Sequence, residues 1–306
     1  MAPLSQQIEY LAALAGMGVA RSLSARRADR FGAGLGRMAH RLLTFRRRLA
    51  RDNIKQALGE SLSDVQIASL TREVFANLGR TVIELSRYRR LGREGVAALA
   101  DPAGLEVVRQ ALNQGRGAIL ATAHFGNWEL LAALIAVNGI PIDAVAFTQH
   151  NPKINELVID LRRFIGISVL EVPANPRQVF RSLEANRLVL MAADQHASAE
   201  TLIMDFLGRP AAIARGPALF ALRCNCPMIP MLLRRERYDR HVLITGETVF
   251  PPGSGDEEAD VRAMTAAYLR FLEDNIRRWP DQWMWTHNRW KLKPAETIPA
   301  GGAPNP

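Results

Sequence analysis

His124 and Glu129 lie five residues apart within Gly117-Ala-Ile-Leu-Ala-Thr-Ala-His-Phe-Gly-Asn-Trp-Glu-Leu-Leu131, an imidazole and a carboxylate that could share a proton-transfer task. Gly117 to Ala123 is a short apolar run of strand length, and Leu130 to Val137 is apolar enough for a buried helix. A strand that ends in a polar residue and turns straight into a helix places that residue on the crevice side of a sheet, where α/β proteins keep their sites. Asn127 is the expected helix N-cap, which sets Glu129 in the first helical turn. From there the carboxylate can reach back to one imidazole nitrogen and leave the other free, as a base, to take a proton from a hydroxyl. His and Glu at this spacing also occur by chance, so the surrounding chain decides what the pair is worth.

The elements that must position this pair follow from periodicity. Ser63 to Tyr88 is predicted as a helix opened by a Ser63-x-x-Gln66 capping box, and the first third of the chain reads as all-helical. Alternation begins near Pro102: helix 104–114, strand 117–123, helix 128–138, strand 142–147, helix 153–164, strand 168–172, helix 176–185 and strand 188–193. This order predicts an α/β fold with a mainly parallel central sheet covered by helices. Asp194-Gln195-His196 again places polar residues at a strand's exit, beside His124 if the two strands share a sheet edge. Phe206 to Pro217 leads into a helix over 218–223, and Arg215 before Gly-Pro could meet an anion with a guanidinium and free backbone N–H groups. A hairpin of strands 228–235 and 241–249 should close the sheet, followed by a helix over about 258–278. Four tryptophans then fall within twelve residues, Trp279, Trp283, Trp285 and Trp290, at a spacing that favours a core plug over a membrane-interface belt. The predicted organisation is a helical, basic, membrane-associated region over 1–100, an α/β core over 101–293 and a flexible tail over 294–306.

Charge is segregated. The chain of 306 residues carries a net charge of +9, and Arg21 to Lys55 holds eleven Lys or Arg against Asp29 and Asp52, which accounts for the whole excess. Such a surface could attract nucleic acid or an anionic membrane. No zinc-finger, RNA-recognition or GxxG signature accompanies it, so nucleic acid is not an expected partner. Tyr10 to Ala20 is uninterrupted apolar sequence but too short for a spanning helix, which takes about 20 residues. An interfacial helix beside Arg21, Arg26, Arg27 and Arg30 fits better, as does a helix packed on the domain with a solvated basic face. No basic residue precedes the apolar part, so no signal peptide is expected. Cys224 and Cys226 are too few for a disulfide framework, fit a reducing compartment, and read as small buried residues rather than metal ligands. The chain has no His-Glu-x-x-His, no Gly-x-Ser-x-Gly elbow and no phosphate-binding Gly-rich loop after a strand. Neither metal nor nucleotide cofactor is expected.

His124-Phe-Gly-Asn-Trp-Glu129 resembles the His-x4-Asp/Glu motif of the lysophospholipid acyltransferase superfamily. Its wording is most similar to the branch that includes the lipid A late acyltransferases and the mycobacterial phosphatidylinositol mannoside acyltransferases. The similarity runs from about Ala50 to Lys291 and keeps the order of its parts: Ala50-Arg-Asp-Asn-Ile54, the His124 and Glu129 pair, Asp194-Gln195, Phe206-Leu-Gly208, Pro227-Met-Ile-Pro230, and the long closing run Gln282-Trp-Met-Trp-Thr-His-Asn-Arg-Trp-Lys291. The resemblance implies that His124 and Glu129 are the catalytic pair and that a basic residue near Gly166, either Arg162 or Arg163, lines the site. His196 and Ser198 depart from the branch's usual Asp and Gly.

The expected function is membrane-associated O-acyl transfer from an acyl carrier protein or coenzyme A thioester to a hydroxyl of a glycolipid, a lipid A precursor first. Another lysophospholipid or a mannosylated phosphoinositide is the alternative acceptor, and a non-catalytic protein on anionic membrane or nucleic acid is the rival from another class. His124 would take the hydroxyl proton while Glu129 orients the ring and stabilises the imidazolium. Backbone N–H groups at the helix start after Phe125 would hold the oxyanion, and Arg162, Arg163 and Arg215, with Asn127, Asp194 and Gln195 nearby, would bind substrate. The expected location is the cytoplasmic face of the bacterial inner membrane, peripheral or weakly anchored.

Overall fold

Five helices open the chain: α1 (Leu4–Ser22), α2 (Ala25–Leu42), α3 (Thr44–Leu58), α4 (Asp64–Ser86) and α5 (Tyr88–Ala97). The structure is a computed structural model that describes residues 3–172, 175–195 and 201–291. The capping box forms as the sequence predicts, with the Gln66 N–H donating to Ser63 Oγ and the Ser63 N–H donating to Gln66 Oε1. The helix predicted over Ser63 to Tyr88 forms as α4 and ends at Arg87, whose guanidinium turns back to donate to the carbonyls of Ala20 and Leu23. Helices α2 and α4 pack backbone to backbone. A Cβ on Gly36 would lie 2.0 Å from the Phe75 carbonyl oxygen, and one on Gly79 would lie 2.2 Å from that of Gly32, so no side chain fits at this crossing.

Alternation follows through α6 (Glu106–Leu112), β1 (Ala118–Thr122), α7 (Trp128–Val137), β2 (Ile142–Phe147), α8 (Pro152–Ile165), β3 (Ser168–Val172), α9 (Pro176–Glu184) and β4 (Leu188–Ala192). After the hairpin β5 (Thr201–Phe206) and β6 (Arg209–Ala214) come α10 (Gly216–Arg223), β7 (Met228–Arg237), β8 (Arg240–Thr245) and α11 (Glu257–Arg278). The main sheet runs β3-β2-β4-β1-β7-β8, parallel except for the edge strand β8. This is a mixed α/β fold with a mostly parallel sheet flanked by helices, as predicted. Its two faces bury separate apolar clusters: Ile119, Val189 and Leu232 belong to one, and Leu120, Leu190 and Leu233 to the other, as the two-residue period of strands requires.

The β5–β6 hairpin is absent from the sequence reading, which treats Phe206 to Pro217 as a lead into a helix. Its two turn residues, Leu207 and Gly208, both have positive φ, 53° and 79°, the geometry of a tight hairpin turn. Leucine there breaks the usual Asn-Gly or Gly-Gly signature. Trp283 and Trp285 are fully buried against Phe206 and Trp290, so the aromatic segment plugs the core as its spacing suggests. Asn53 explains the Ala50-Arg-Asp-Asn-Ile54 element, since its amide donates to the carbonyls of Trp285 and His287, 2.8 Å each. No described helix is long and apolar enough to cross a membrane. His196, Ser198 and the segment 294–306 lie outside the described residues.

Candidate active site

Strands β1 and β4 are adjacent, parallel and in register, with Thr122 opposite Ala192. Two residues beyond each, His124 and Asp194 therefore meet at the carboxyl edge of the sheet. His124 Nδ1 lies 2.9 Å from Asp194 Oδ1. The second carboxylate oxygen accepts from the His124 backbone N–H at 3.0 Å and from Trp283 Nε1 at 2.8 Å. Burial disfavours the Asp194 anion, but His124 beside it, the Trp283 donor and the His124 amide outweigh that and hold its pKa below the usual carboxylate range. An ionised carboxylate only accepts, so the proton sits on Nδ1 and the Nε2 lone pair is free. Burial also works against protonation of His124, yet Asp194, with a smaller contribution from Glu129, raises its pKa above the ordinary histidine value, against a weaker opposing effect of Arg162. The His124 side chain remains 24% exposed, so a substrate can reach it. Trp128 packs edge-on to the imidazole at 5.0 Å.

Glu129 is not the residue that holds the ring. Its carboxylate accepts a two-pronged bond from Arg162 of α8, Nε to Oε2 at 3.0 Å and Nη2 to Oε1 at 2.6 Å. Glu129 does start a helix capped by Asn127, whose Oδ1 accepts from the Leu130 N–H at 2.9 Å. In the first turn, however, its side chain aims along the helix flank toward α8 rather than back over the strand exit. The pairing also separates the two adjacent arginines. Arg162 belongs to the site, whereas Arg163, one residue on and rotated about the helix axis, is exposed.

The loop between His124 and α7 is fixed almost atom by atom. Residues 282–284 run antiparallel to it: the Met284 N–H donates to the His124 carbonyl at 3.0 Å and the Gly126 N–H to the Gln282 carbonyl at 2.7 Å. The Asn127 N–H donates to Leu233 of β7 at 3.1 Å, and the Phe125 N–H to Ala123 at 2.7 Å. Gly126 has φ of 56°, and a Cβ there would lie 1.9 Å from the Leu233 carbonyl oxygen, so only glycine fits. Of the N–H groups after Phe125, where the oxyanion donors are expected, those of Gly126 and Asn127 are thus already engaged. Those of Trp128 and Glu129, the first two residues of α7, have no acceptor among the described residues, leaving a helix N-terminus open beside the imidazole.

The profile of the bacterial lipid A biosynthesis acyltransferases matches residues 3–292. The chain belongs to that family. It is an acyltransferase. Among similar proteins, a phosphatidylinositol mannoside acyltransferase of Mycolicibacterium smegmatis is 25% identical over 248 residues, 78% of each chain. A lipid A biosynthesis lauroyltransferase of Escherichia coli is 23% identical over 273 residues, covering 89% of this chain and 87% of its own. A palmitoleoyltransferase of the same organism is 24% identical, covering 86% and 84%.

For an acyltransferase the remaining sequence-predicted residues divide clearly. Gln195 sits half-buried at the same sheet edge as Asp194. Arg215 stands elsewhere: its guanidinium faces Glu258 at 3.4 Å and Glu257 at 3.8 Å on α11, and no described contact joins it to His124, Glu129 or Asp194. Three residues of the site went unrecognised in the sequence. Trp283 reads as core filler, yet its indole N–H holds Asp194. Glu84 of α4 and Arg235 of β7 form a buried pair, Nη2 to Oε2 at 2.6 Å, under Asn127. The only advance signal for them is a charge at a helix or strand position that periodicity assigns to the interior.

Proposed function

We propose that this acyltransferase moves a fatty acyl chain from a carrier-protein or coenzyme A thioester to a glycolipid hydroxyl, with His124 as general base and Asp194 as the residue that orients it. The observation that carries the reading is the 2.9 Å contact of His124 Nδ1 with Asp194, which leaves Nε2 free at a sheet edge open to substrate. The acceptor hydroxyl oxygen attacks the thioester carbonyl as Nε2 takes its proton. The negative charge that develops on the carbonyl oxygen is met by the free N–H groups of Trp128 and Glu129. Collapse breaks the carbon–sulfur bond, the imidazolium returns its proton to the departing thiolate, and an ester and a thiol result. Glu129 acts through its charge, stabilising the imidazolium from a distance. Arg162 grips that carboxylate with two N–H groups and presents its remaining N–H groups to a phosphate of donor or acceptor.

The acceptor proposed first is a lipid A precursor. A mannosylated phosphoinositide is the second reading, favoured by the name of the Mycolicibacterium relative. The surface supports delivery from a membrane. Leu4, Ile8 and Leu11 recur at helical spacing along α1 and are exposed, Leu4 at 73%, and the corner between α2 and α3 exposes Leu42, Leu43 and Phe45 next to Arg46 and Arg48. Apolar side chains flanked by arginine suit a peripheral position on the anionic, cytoplasmic face of an inner membrane.

The deciding experiment incubates purified protein with acyl carrier protein or coenzyme A thioesters and defined glycolipids, and measures free thiol together with the mass of the lipid product. Stoichiometric thiol and a glycolipid heavier by one acyl chain are expected. Thioester left intact with every acceptor would overturn the reading. Mass spectrometry of lipids from a deletion strain then names the acceptor by its missing chain.

A further inference from the structure

Asn127 is asked to do two opposite things. Its Oδ1 accepts from the Leu130 N–H, capping α7, while its Nδ2 donates to Glu84 Oε2. Both only work with the amide one way round, provided that Glu84 accepts and never donates. Arg235 enforces that condition: Nε lies 3.1 Å from Glu84 Oε1 and Nη2 lies 2.6 Å from Oε2. The arginine is itself over-determined, with Nη2 donating to Thr81 Oγ1 at 3.0 Å and Nη1 to Asn77 Oδ1 at 3.4 Å, while Thr81 donates to the Gly126 carbonyl at 3.2 Å. Its backbone N–H donates to Gln282 Oε1 at 3.0 Å, from the residue whose carbonyl receives the Gly126 N–H.

We infer that Glu84 and Arg235 are positioning residues for the transfer reaction, a buried pair that orients the Asn127 amide and so fixes the α7 N-terminus with its Trp128 and Glu129 N–H groups open beside His124. The pair touches no reacting atom. Burial works against the Glu84 anion, but Arg235, with help from His241, outweighs it and holds the pKa far below the usual carboxylate range, so the side chain accepts and does not donate. A neutral side chain at 84 could donate as well as accept, and Asn127 would then populate both orientations. In the wrong one its NH2 faces the Leu130 N–H and the cap is lost.

This inference rests on the acyl-transfer reading of the site, and its test includes a readout that does not need turnover. Glu84→Gln should lower kcat by about 10²-fold, the cost of an ångström-scale displacement of a reacting group, with KM unchanged and the Leu130 amide exchanging faster in NMR. Asn127→Asp should do the same, by setting two carboxylates face to face. Asp143→Asn, which breaks the pair of Asp143 with the half-buried Arg187 far from His124, should lower thermal stability and leave kcat and Leu130 exchange alone. Wild-type kcat and exchange in folded Glu84→Gln protein would overturn the inference, as would wild-type kcat and exchange in Asn127→Asp, which also decides the matter if Glu84→Gln does not fold. Should wild-type protein transfer no acyl group, the proposed function falls while Leu130 exchange still judges the clamp.

Discussion

The two ends of the central sheet each hold an arginine paired with a carboxylate, and the pairs differ in what else they hold. At the amino end Arg187, just before β4, donates Nη2 to Asp143 Oδ1 at 2.7 Å and Nε to Oδ2 at 2.8 Å, with further bonds to the Ile142 carbonyl and Ser168 Oγ. These partners of Arg187 belong to the starts of β2 and β3, so the pair staples strands. At the carboxyl end Arg235 and Glu84 reach Asn127 and, through Thr81, Gly126. Those partners carry the loop that presents His124. The same chemistry, placed at opposite ends of the same strands, fastens structure in one case and aims a site in the other. In parallel sheets the carboxyl end is where strands pass into loops and helix N-termini, so only there can such a pair bear on an open set of N–H donors.

Substitutions at the carboxyl end should accordingly show in rate. The largest effects fall on the dyad: His124→Ala should lose about 10²- to 10⁴-fold in turnover with the fold intact. Asp194→Asn should lose a comparable amount, because the asparagine NH2 donates to Nδ1, moves the ring proton to Nε2 and removes the base. The pH profile sharpens this. A raised His124 pKa means that kcat/KM falls as pH drops through a value above 6.5, since only the neutral ring accepts a proton. Removing the Asp194 charge takes away the main cause of that rise, so the acid limb of any residual activity should move to lower pH. An unshifted limb would break the assignment of Asp194.

Next in size, Glu129→Gln removes a charge that acts at a distance. Turnover should fall by about tenfold, because the imidazolium formed during transfer loses a nearby negative charge. Thermal stability should also fall, as Arg162, only 14% exposed, loses its partner. Normal specific activity in the folded variant would remove Glu129 from the mechanism and leave it a structural partner of Arg162.

At the amino end Asp143→Asn should show only in stability, by about 1–3 kcal/mol given the partial exposure of Arg187, with turnover unchanged. Gly36→Ala probes packing still farther from the chemistry. The added methyl group would meet the Phe75 carbonyl oxygen at 2.0 Å, and separating α2 from α4 should cost about 1–3 kcal/mol in chemical denaturation while kcat is preserved. A loss of turnover in either variant would erase the distinction between the two ends. The smallest effect per residue belongs to the membrane surface. Neutralising Arg46 and Arg48 should weaken binding to anionic vesicles by about 1 kcal/mol each, and salt should abolish the difference. Sedimentation with neutral and anionic vesicles measures it, and equal binding by the double variant at low salt would show that these arginines do not touch lipid.

Much of this was legible in the residues themselves. The apolar run before His124, the Asn127 cap, the Ser63–Gln66 box and the alternation of strand and helix are local or periodic features, governed by backbone hydrogen bonding and by which face of each element must leave water. They sufficed for a mostly parallel sheet and for a His at its carboxyl edge with Asp194 as neighbour. Tertiary structure alone decided which carboxylate holds the imidazole. Glu129 is five residues from His124 in sequence, but its place in the first turn of α7 sends it to Arg162, while Asp194, seventy residues on, is delivered to Nδ1 by the β1–β4 register. Sequence distance sets what can be reached cheaply by the chain, and strand register sets what is actually opposite. The same holds for Trp283, Glu84 and Arg235. Their side chains act through partners from other elements, and no spacing along a single chain encodes a contact made across three of them.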